Sequence, residues 1–178
     1  MLFPWVDIET TGLNPNKDVI LEVGIILTDE NLNEVNHTEV QIFQAPITLS
    51  LMCDEVREMH EKSGLIDRCC GNNSLSLSTS EQYLIYWLQE NLDSSDDKPP
   101  MCGSSVHFDR TFLKRYMPEL ESKFHYRNID VSTVKNLCGA WYPPQFSERP
   151  QGEKNHTTIS DLRDSIAELK YYRESIFK

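Results

Sequence analysis

The sequence predicts an α/β protein built on a mixed sheet that carries helices on its faces. Three strand-like segments, residues 2–9, 18–28 and 35–43, are rich in Val, Ile, Leu, Phe and Trp and are separated by turn-forming segments. From residue 101 onward, predicted strands and helices alternate. Three strands in a meander followed by βαβα order indicate antiparallel and parallel strands in one sheet.

The first half of the chain supplies the meander and a helical region. The first strand is expected to begin after Pro4, because proline has no N–H to donate to a neighbouring strand. Residues 50–65 predict short helical pieces, and 68–80 predict a polar loop. A helix is expected over 80–91, and 91–100 is typical of an exposed loop.

The second half predicts alternating elements, namely a strand at 101–103, a helix at 109–116, a strand at 126–131 and a helix at 132–141. A last helix closes the chain. Its apolar residues recur at three-and-four spacing, which predicts one stripe packed against the sheet. The stripe contains Ile159, Leu162, Ile166 and Leu169.

Length and composition are those of an ordinary soluble domain. The 178 residues, 39% hydrophobic and 25% charged, suit a single domain over residues 1–178. The N-terminal MLFPWVDIE enters an apolar strand at once, without the basic and long apolar regions of a signal peptide. We expect an intracellular protein with a cytoplasmic location, and leave mitochondria and the nucleus open.

The net charge of −11 disfavours a protein that grips long nucleic acid by neutralising many phosphates. Two possibilities remain. Either nucleic acid is not the ligand, or the ligand is short and is held by a few local contacts while part of the acidity serves divalent cations.

Two carboxylates lie at the end of the first predicted strand. Asp7 and Glu9 are two residues apart, so strand alternation sends both side chains to the same face. Such a pair repels itself unless a cation lies between the two groups, which makes it a metal site or a costly surface feature. A turn, TTGL at 10–13, follows directly, and strand ends that feed loops often carry functional sites.

Two later acidic positions could converge on this pair. Asp109 heads a helix after a short strand, where it is either a helix-start charge or a further metal ligand. His156 precedes Asp161 by five residues, a spacing that places the histidine in a loop and the aspartate on the first helical turn. Thr158 and Asp161 also fit a capping box, in which the aspartate only stabilises the helix start.

The order of these residues resembles that of the DEDDh exonucleases, with matches at Asp7, Glu9, Asp109, His156 and Asp161. Further segments are similar to the oligoribonuclease family over nearly the whole chain, densely from residue 101 onward. These segments are KSGL at 62–65, GSSVH at 103–107, KRYMP at 114–118, HYR at 125–127, IDVST at 129–133 and ELKYYR at 168–173.

The resemblance implies a ribonuclease H-like fold with a central five-stranded mixed sheet and helices on both faces. It also implies a 3′→5′ exoribonuclease that hydrolyses dinucleotides and other very short RNA to nucleoside 5′-monophosphates. Asp7, Glu9, Asp109 and Asp161 would hold two Mg²⁺ or Mn²⁺ ions, which suit an all-oxygen ligand set. His156 would be the general base, because its ordinary pKa lies near neutrality.

The same resemblance implies how a short substrate is held. Leu13 matches the apolar residue that contacts the bases. The residues that match the cap on the terminal phosphate are His60, Ser105, Ser132 and, from the partner subunit of a homodimer, Tyr126 and Arg127. The planar guanidinium of Arg127 suits phosphate because it forms paired hydrogen bonds. The alternative interpretation is that Tyr126 and Arg127 are only part of a solvated strand edge.

One departure affects the expected substrate. Glu55 stands where the family has a base-stacking tryptophan, and a carboxylate cannot stack on a base. Two other functions are kept in view. The chain could be a DEDDh exonuclease that trims longer single-stranded RNA or DNA, or a catalytically idle module that binds nucleotides.

Overall fold

The computed structural model describes residues 1–92, 98–152 and 157–177. In this described part of the chain, five strands form one mixed sheet in the order β3-β2-β1-β4-β5. The first three strands are antiparallel neighbours, whereas β4 runs parallel to both β1 and β5. The strands are β1 (Phe3–Thr10), β2 (Ile20–Thr28), β3 (Glu34–Gln41), β4 (Pro100–Gly103) and β5 (His125–Asp130).

Helices connect and cover these strands. Within the described residues, four lie between β3 and β4, namely α1 (Pro46–Leu49), α2 (Asp54–Lys62), α3 (Leu65–Cys70) and α4 (Leu77–Asn91). The later ones are α5 (Val106–Tyr116), α6 (Pro118–Glu121), α7 (Val131–Trp141), α8 (Pro143–Glu148) and α9 (Thr158–Ser175). No helix within the described ranges combines the length and apolar character needed to cross a membrane.

Strand alternation divides the core between the two faces of the sheet. Val6 and Ile25 belong to a buried cluster that includes residues of α4 and α5. Trp5 and Ile26 belong to a second buried cluster, together with residues of α7 and α9. Helices therefore cover both faces, which confirms the predicted architecture.

Two details differ from the sequence-based expectations. β1 already includes Pro4, which is the second residue of the strand and lies beside the Trp5–Cys102 pair with β4. A proline is tolerated there because the end of a strand has few ladder bonds to lose. The predicted polar loop at 68–80 is shorter, since α3 extends to Cys70 and α4 begins at Leu77.

Candidate active site

Three carboxylates converge on the face of the sheet that α9 covers. Asp7 and Glu9 leave this face from the end of β1, and Asp161 reaches it from the first turn of α9. One oxygen from each side chain lies within 4.8 Å of the others. These are distances at which a single cation can contact several carboxylates. The structure thus joins residues that are about 150 positions apart in the sequence.

The carboxylates raise one another's affinity for protons. Burial and then the neighbouring Asp109 and Glu9 charges raise the pKa of Asp7 well above its usual range. The pKa of Glu9 rises to about 8, mainly through burial and then through the charges of Asp161 and Glu22. Acids crowded in this way favour either a proton or a cation among them.

Asp109 lies directly behind the β1 carboxylates. It belongs to the first turn of α5 and is almost completely buried. Its Oδ1 accepts a hydrogen bond from the backbone N–H of Ile8, the residue between Asp7 and Glu9, at 3.2 Å. Burial raises the pKa of Asp109 to about 7. Asp109 is therefore both a helix-start residue and a neighbour of the acidic cluster.

The start of α9 is held differently from the capping box that the sequence allowed. Thr157 occupies the N-cap position without a side-chain capping hydrogen bond, and Thr158 is already the first helical residue. The Thr158 hydroxyl donates to Oε1 of Glu22 at 3.0 Å, so it is not the cap that pairs with Asp161. The capping-box alternative was wrong because the threonine has a buried acceptor on β2.

Glu22 is a buried acid that the sequence reasoning missed. It lies opposite Glu9 in the β1–β2 ladder and has no exposed surface. Its carboxylate accepts hydrogen bonds from Thr158, from Gln41 at 2.9 Å and from Arg68 at 3.0 Å. A signal was present, because Glu22 interrupts the apolar run ILEVGIIL, and acids are almost never fully buried unless they are paired.

His156, the predicted general base, lies outside the described residues. His60, which was predicted to cap the terminal phosphate, is fully buried on α2. Its Nε2 is 2.9 Å from the backbone oxygen of Thr10, and its Nδ1 is 4.0 Å from Oε2 of Glu9. The structure therefore places His60 against the acidic cluster, with both ring nitrogens facing protein atoms.

The two predicted phosphate-cap serines lie together at the starts of two helices. The hydroxyls of Ser105 and Ser132 are 3.1 Å apart and lie on an exposed surface. Between the helices, the Asp130 carboxylate accepts hydrogen bonds from the backbone N–H groups of Ser105, Val106 and Ser132. Asp130 thereby caps α5 and α7 with one side chain, and its position fixes the two hydroxyls beside each other.

Leu13 lies on a turn that the rest of the chain holds firmly. Its side chain is 81% exposed, directly after β1. Asp18 accepts from the Thr11 hydroxyl and from the Asn14 N–H, and Tyr116 donates to the backbone oxygen of Asp18 at 2.7 Å. An apolar side chain on such an ordered turn is available for contact with a ligand.

Tyr126 and Arg127 lie on β5, at the edge of the sheet. Both are exposed, and the Arg127 guanidinium lies 5.3 Å from the centre of the Tyr126 ring. Glu55 is also exposed, in the first turn of α2. These three side chains are accessible to a ligand or to another chain.

Comparison with known proteins identifies the family of the chain. Residues 5–169 match the exonuclease family RNase_T. The chain is 41% identical to an oligoribonuclease of Chromobacterium violaceum and 43% identical to one of Shewanella loihica. In each case the similarity covers 98% of this chain and 94% of the relative.

Solved structures show the same fold at lower sequence similarity. A zinc-bound exonuclease I complex with single-stranded DNA from E. coli is 18% identical, with a TM-score of 0.73 over 98% of this chain and 41% of the solved one. Exonuclease I from Methylocaldum szegediense is 19% identical, with a TM-score of 0.71 over 99% and 41%. The family match over residues 5–169 and the identities of 41% and 43% over nearly the whole chain show that the chain belongs to the oligoribonuclease family of exonucleases.

Proposed function

We propose that this chain is a metal-dependent 3′→5′ exoribonuclease that hydrolyses very short RNA to nucleoside 5′-monophosphates. The observation that carries the proposal is the cluster of Asp7, Glu9 and Asp161 in a chain that is about 40% identical to oligoribonucleases over nearly its whole length. Family membership supports the reaction, and the cluster supports the location of its chemistry.

The donor set fits Mg²⁺ or Mn²⁺. Carboxylate oxygens are the ligands that these hard cations prefer, whereas zinc favours nitrogen and sulphur. Burial, and then the charges of neighbouring carboxylates, raise the pKa values of Asp7 and Glu9, and a bound cation would compensate for both effects. Asp7, Glu9 and Asp161 would hold the ions, and Asp109 would complete the set from the α5 side. Bound divalent ions supply a lowered pKa for water and stabilise the charge that develops on the phosphate.

The remaining groups act on the substrate and on the proton. His156 accepts the proton of the attacking water, because a neutral imidazole is available near neutral pH. Leu13 contacts the bases from its ordered turn. The hydroxyls of Ser105 and Ser132 donate to the terminal phosphate, and this contact blocks longer chains. His60 is buried beside Glu9, where its contact with the backbone of Thr10 holds the end of β1 in place.

A homodimer completes the proposed site. Tyr126 of the partner subunit and Arg127 of the partner subunit would close over the terminal phosphate, since both are exposed on an edge strand. The Arg127 guanidinium suits bidentate binding of phosphate. A short substrate also suits the net charge of −11, because few phosphates need to be neutralised. A cytoplasmic location belongs to the same proposal.

The test is turnover of 5′-labelled RNAs, from dinucleotides to about heptanucleotides, with Mn²⁺ and with Asp7→Ala beside the wild type. Fast cleavage of the dinucleotide that declines with length, and that is lost in Asp7→Ala, is the expected result. A preference for longer RNA or DNA would instead support a general exonuclease. The observation in favour of that function is Glu55, which stands where the family has a base-stacking tryptophan. Binding of nucleotides without cleavage would support the idle binding module.

The role of His156 needs a separate variant. His156→Ala is expected to abolish turnover and to leave the calorimetric Mn²⁺ affinity unchanged, because an imidazole that moves a proton is not a metal ligand. His37→Ala is the matched control, since His37 is an exposed β3 residue paired with Glu34. Normal turnover by His156→Ala would remove this residue from the mechanism.

A further inference from the structure

We infer that Glu22 is a positioning residue: it anchors the first residue of α9 to β2 and so holds Asp161 at the Asp7–Glu9 pair. Glu22 does not contact the ions in this scheme. The inference rests on the proposed metal-dependent function. It adds that assembly of the carboxylate cluster depends on Glu22, a residue outside the cluster.

The contacts that support this role come from three elements. From α9, the backbone N–H of Thr158 donates to Oε1 of Glu22 at 3.3 Å and its hydroxyl donates to the same oxygen at 3.0 Å. From α3, Arg68 donates to Oε2 at 3.0 Å, and from β3, Gln41 donates to Oε2 at 2.9 Å. Each oxygen of the carboxylate therefore has its own set of donors.

The position of Glu22 relative to the ligands makes these contacts relevant to the site. Glu22 is the residue opposite Glu9 in the ladder, so it belongs to the same face of the sheet. Thr158 and Asp161 are separated by less than one helical turn, so the position of Thr158 sets that of Asp161. Both Glu22 and Thr158 have no exposed surface, which leaves no water to replace a lost contact.

A carboxylate is needed at this position because its partners are all donors. Arg68 provides the positive charge that allows Glu22 to be buried. The isosteric Glu22→Gln cannot satisfy every donor, because an amide whose oxygen accepts from Thr158 presents its N–H₂ group to both Arg68 and Gln41, and the flipped amide presents it to Thr158. We therefore expect the variant to loosen the attachment of α9 without emptying the space.

The experiment is calorimetric titration of the whole protein with Mn²⁺ in the absence of substrate, followed by turnover of an RNA dinucleotide as a function of Mn²⁺ concentration. Changes around metal ligands typically weaken metal binding by about tenfold or more. Glu22→Gln is expected to bind Mn²⁺ about tenfold more weakly, and excess Mn²⁺ is expected to restore most of its kcat with an unchanged KM for RNA.

A second variant separates positioning from simple loss of negative charge. Thr158→Val keeps the size and charge of the site but removes the hydroxyl bond to Glu22, and it is expected to weaken Mn²⁺ binding as well. In the double variant the two effects should not add, because both remove the same link. If Thr158→Val binds Mn²⁺ as the wild type does, Glu22 acts through its charge and the positioning role is refuted.

Glu34→Gln is the matched control. Glu34 also lies on a strand and also binds α9, through two hydrogen bonds of 2.9 Å from Arg163, but it is partly exposed and lies away from the cluster. Its Mn²⁺ affinity should equal that of the wild type, and an equal loss in both variants would overturn the inference. Failure of the wild type itself to bind Mn²⁺ would overturn the proposed function and the inference together, whereas unchanged binding by Glu22→Gln would overturn the inference alone.

Discussion

Gly24 and Thr158 are in such close contact that a side chain on the glycine would occupy the space of the threonine. A Cβ at Gly24 would lie 2.6 Å from Cβ of Thr158, well inside the normal contact distance. Gly24 is also the partner of Asp7 in the β1–β2 ladder. The absence of a side chain at Gly24 therefore allows α9 to approach β2 next to the acidic cluster.

Gly24→Ala tests this contact. The methyl group is expected to push the start of α9 outward, which should cost about 1 to 3 kcal/mol of stability and weaken Mn²⁺ binding. Urea unfolding and calorimetric titration measure the two effects. Gly139→Ala is the control, because its methyl group meets only the side chain of Phe146 at 3.3 Å. Normal Mn²⁺ binding by Gly24→Ala would show that the contact has no influence on the cluster.

The metal-free protein should become less stable as the pH rises. Folding raises the pKa of Glu9 from 4.5 to about 8 and that of Asp109 from 3.8 to about 7. Between the ordinary and the raised values the folded state binds more protons than the unfolded state, so the unfolding free energy falls with increasing pH. Above about pH 8 both states are deprotonated at Glu9, and its contribution becomes constant.

Urea midpoints measured in a chelator across this range should therefore decrease toward alkaline pH. Saturating Mn²⁺ should reduce or reverse the slope, because the cation replaces the protons and binds only the folded cluster. The Glu9→Gln variant should show a shallower slope in the chelator. A midpoint that rises with pH in the metal-free wild type would contradict the electrostatic account of the cluster.

Restoring an aromatic ring at residue 55 should strengthen the binding of short RNA. Stacking of a base on an aromatic side chain is worth about 1 to 3 kcal/mol, so Glu55→Trp is expected to lower the KM for a dinucleotide by about fivefold or more. Glu58→Trp is the control, because Glu58 is exposed on the same helix one turn later. Equal effects of both variants would indicate that the added tryptophan binds RNA nonspecifically.

Two arginine variants should differ sharply in stability. Arg110 is almost buried and binds Glu121, the backbone oxygen of His125 and Asn128, which ties α5 to β5. Arg110→Met is expected to cost about 3 kcal/mol, because it leaves buried acceptors without a donor. Arg163→Met removes an exposed pair and should cost no more than about 1 kcal/mol. Urea unfolding of both variants provides the comparison, and equal losses would contradict it.

Much of the sheet could be predicted from the sequence because its signals are local. Their content of strand-forming apolar residues and the turn segments between them predicted the three antiparallel strands, and strand parity placed Asp7 and Glu9 on one face. The convergence of Asp161 on this pair came from resemblance to a family, since nothing in the nearby residues indicates which strand end α9 will meet.

Interactions between distant residues escaped prediction. Glu22 and Thr158 are 136 positions apart, so neither residue carries a local sign of the other. His60 looks like an exposed residue on a polar helix, and its burial depends on the packing of α2 against the end of β1. The double cap formed by Asp130 was equally hidden, because it requires the parallel pairing of β4 with β5 to bring two helix starts together.

The late position of α9 in the chain has a consequence for biosynthesis. β1 provides two of the three clustered carboxylates, but the third arrives only with Asp161, about 150 residues later in the chain. A ribosome-bound chain that has not yet released α9 cannot complete the cluster, however well its first strands have formed. The cluster is therefore complete only after α9 has been synthesised and has packed against the sheet.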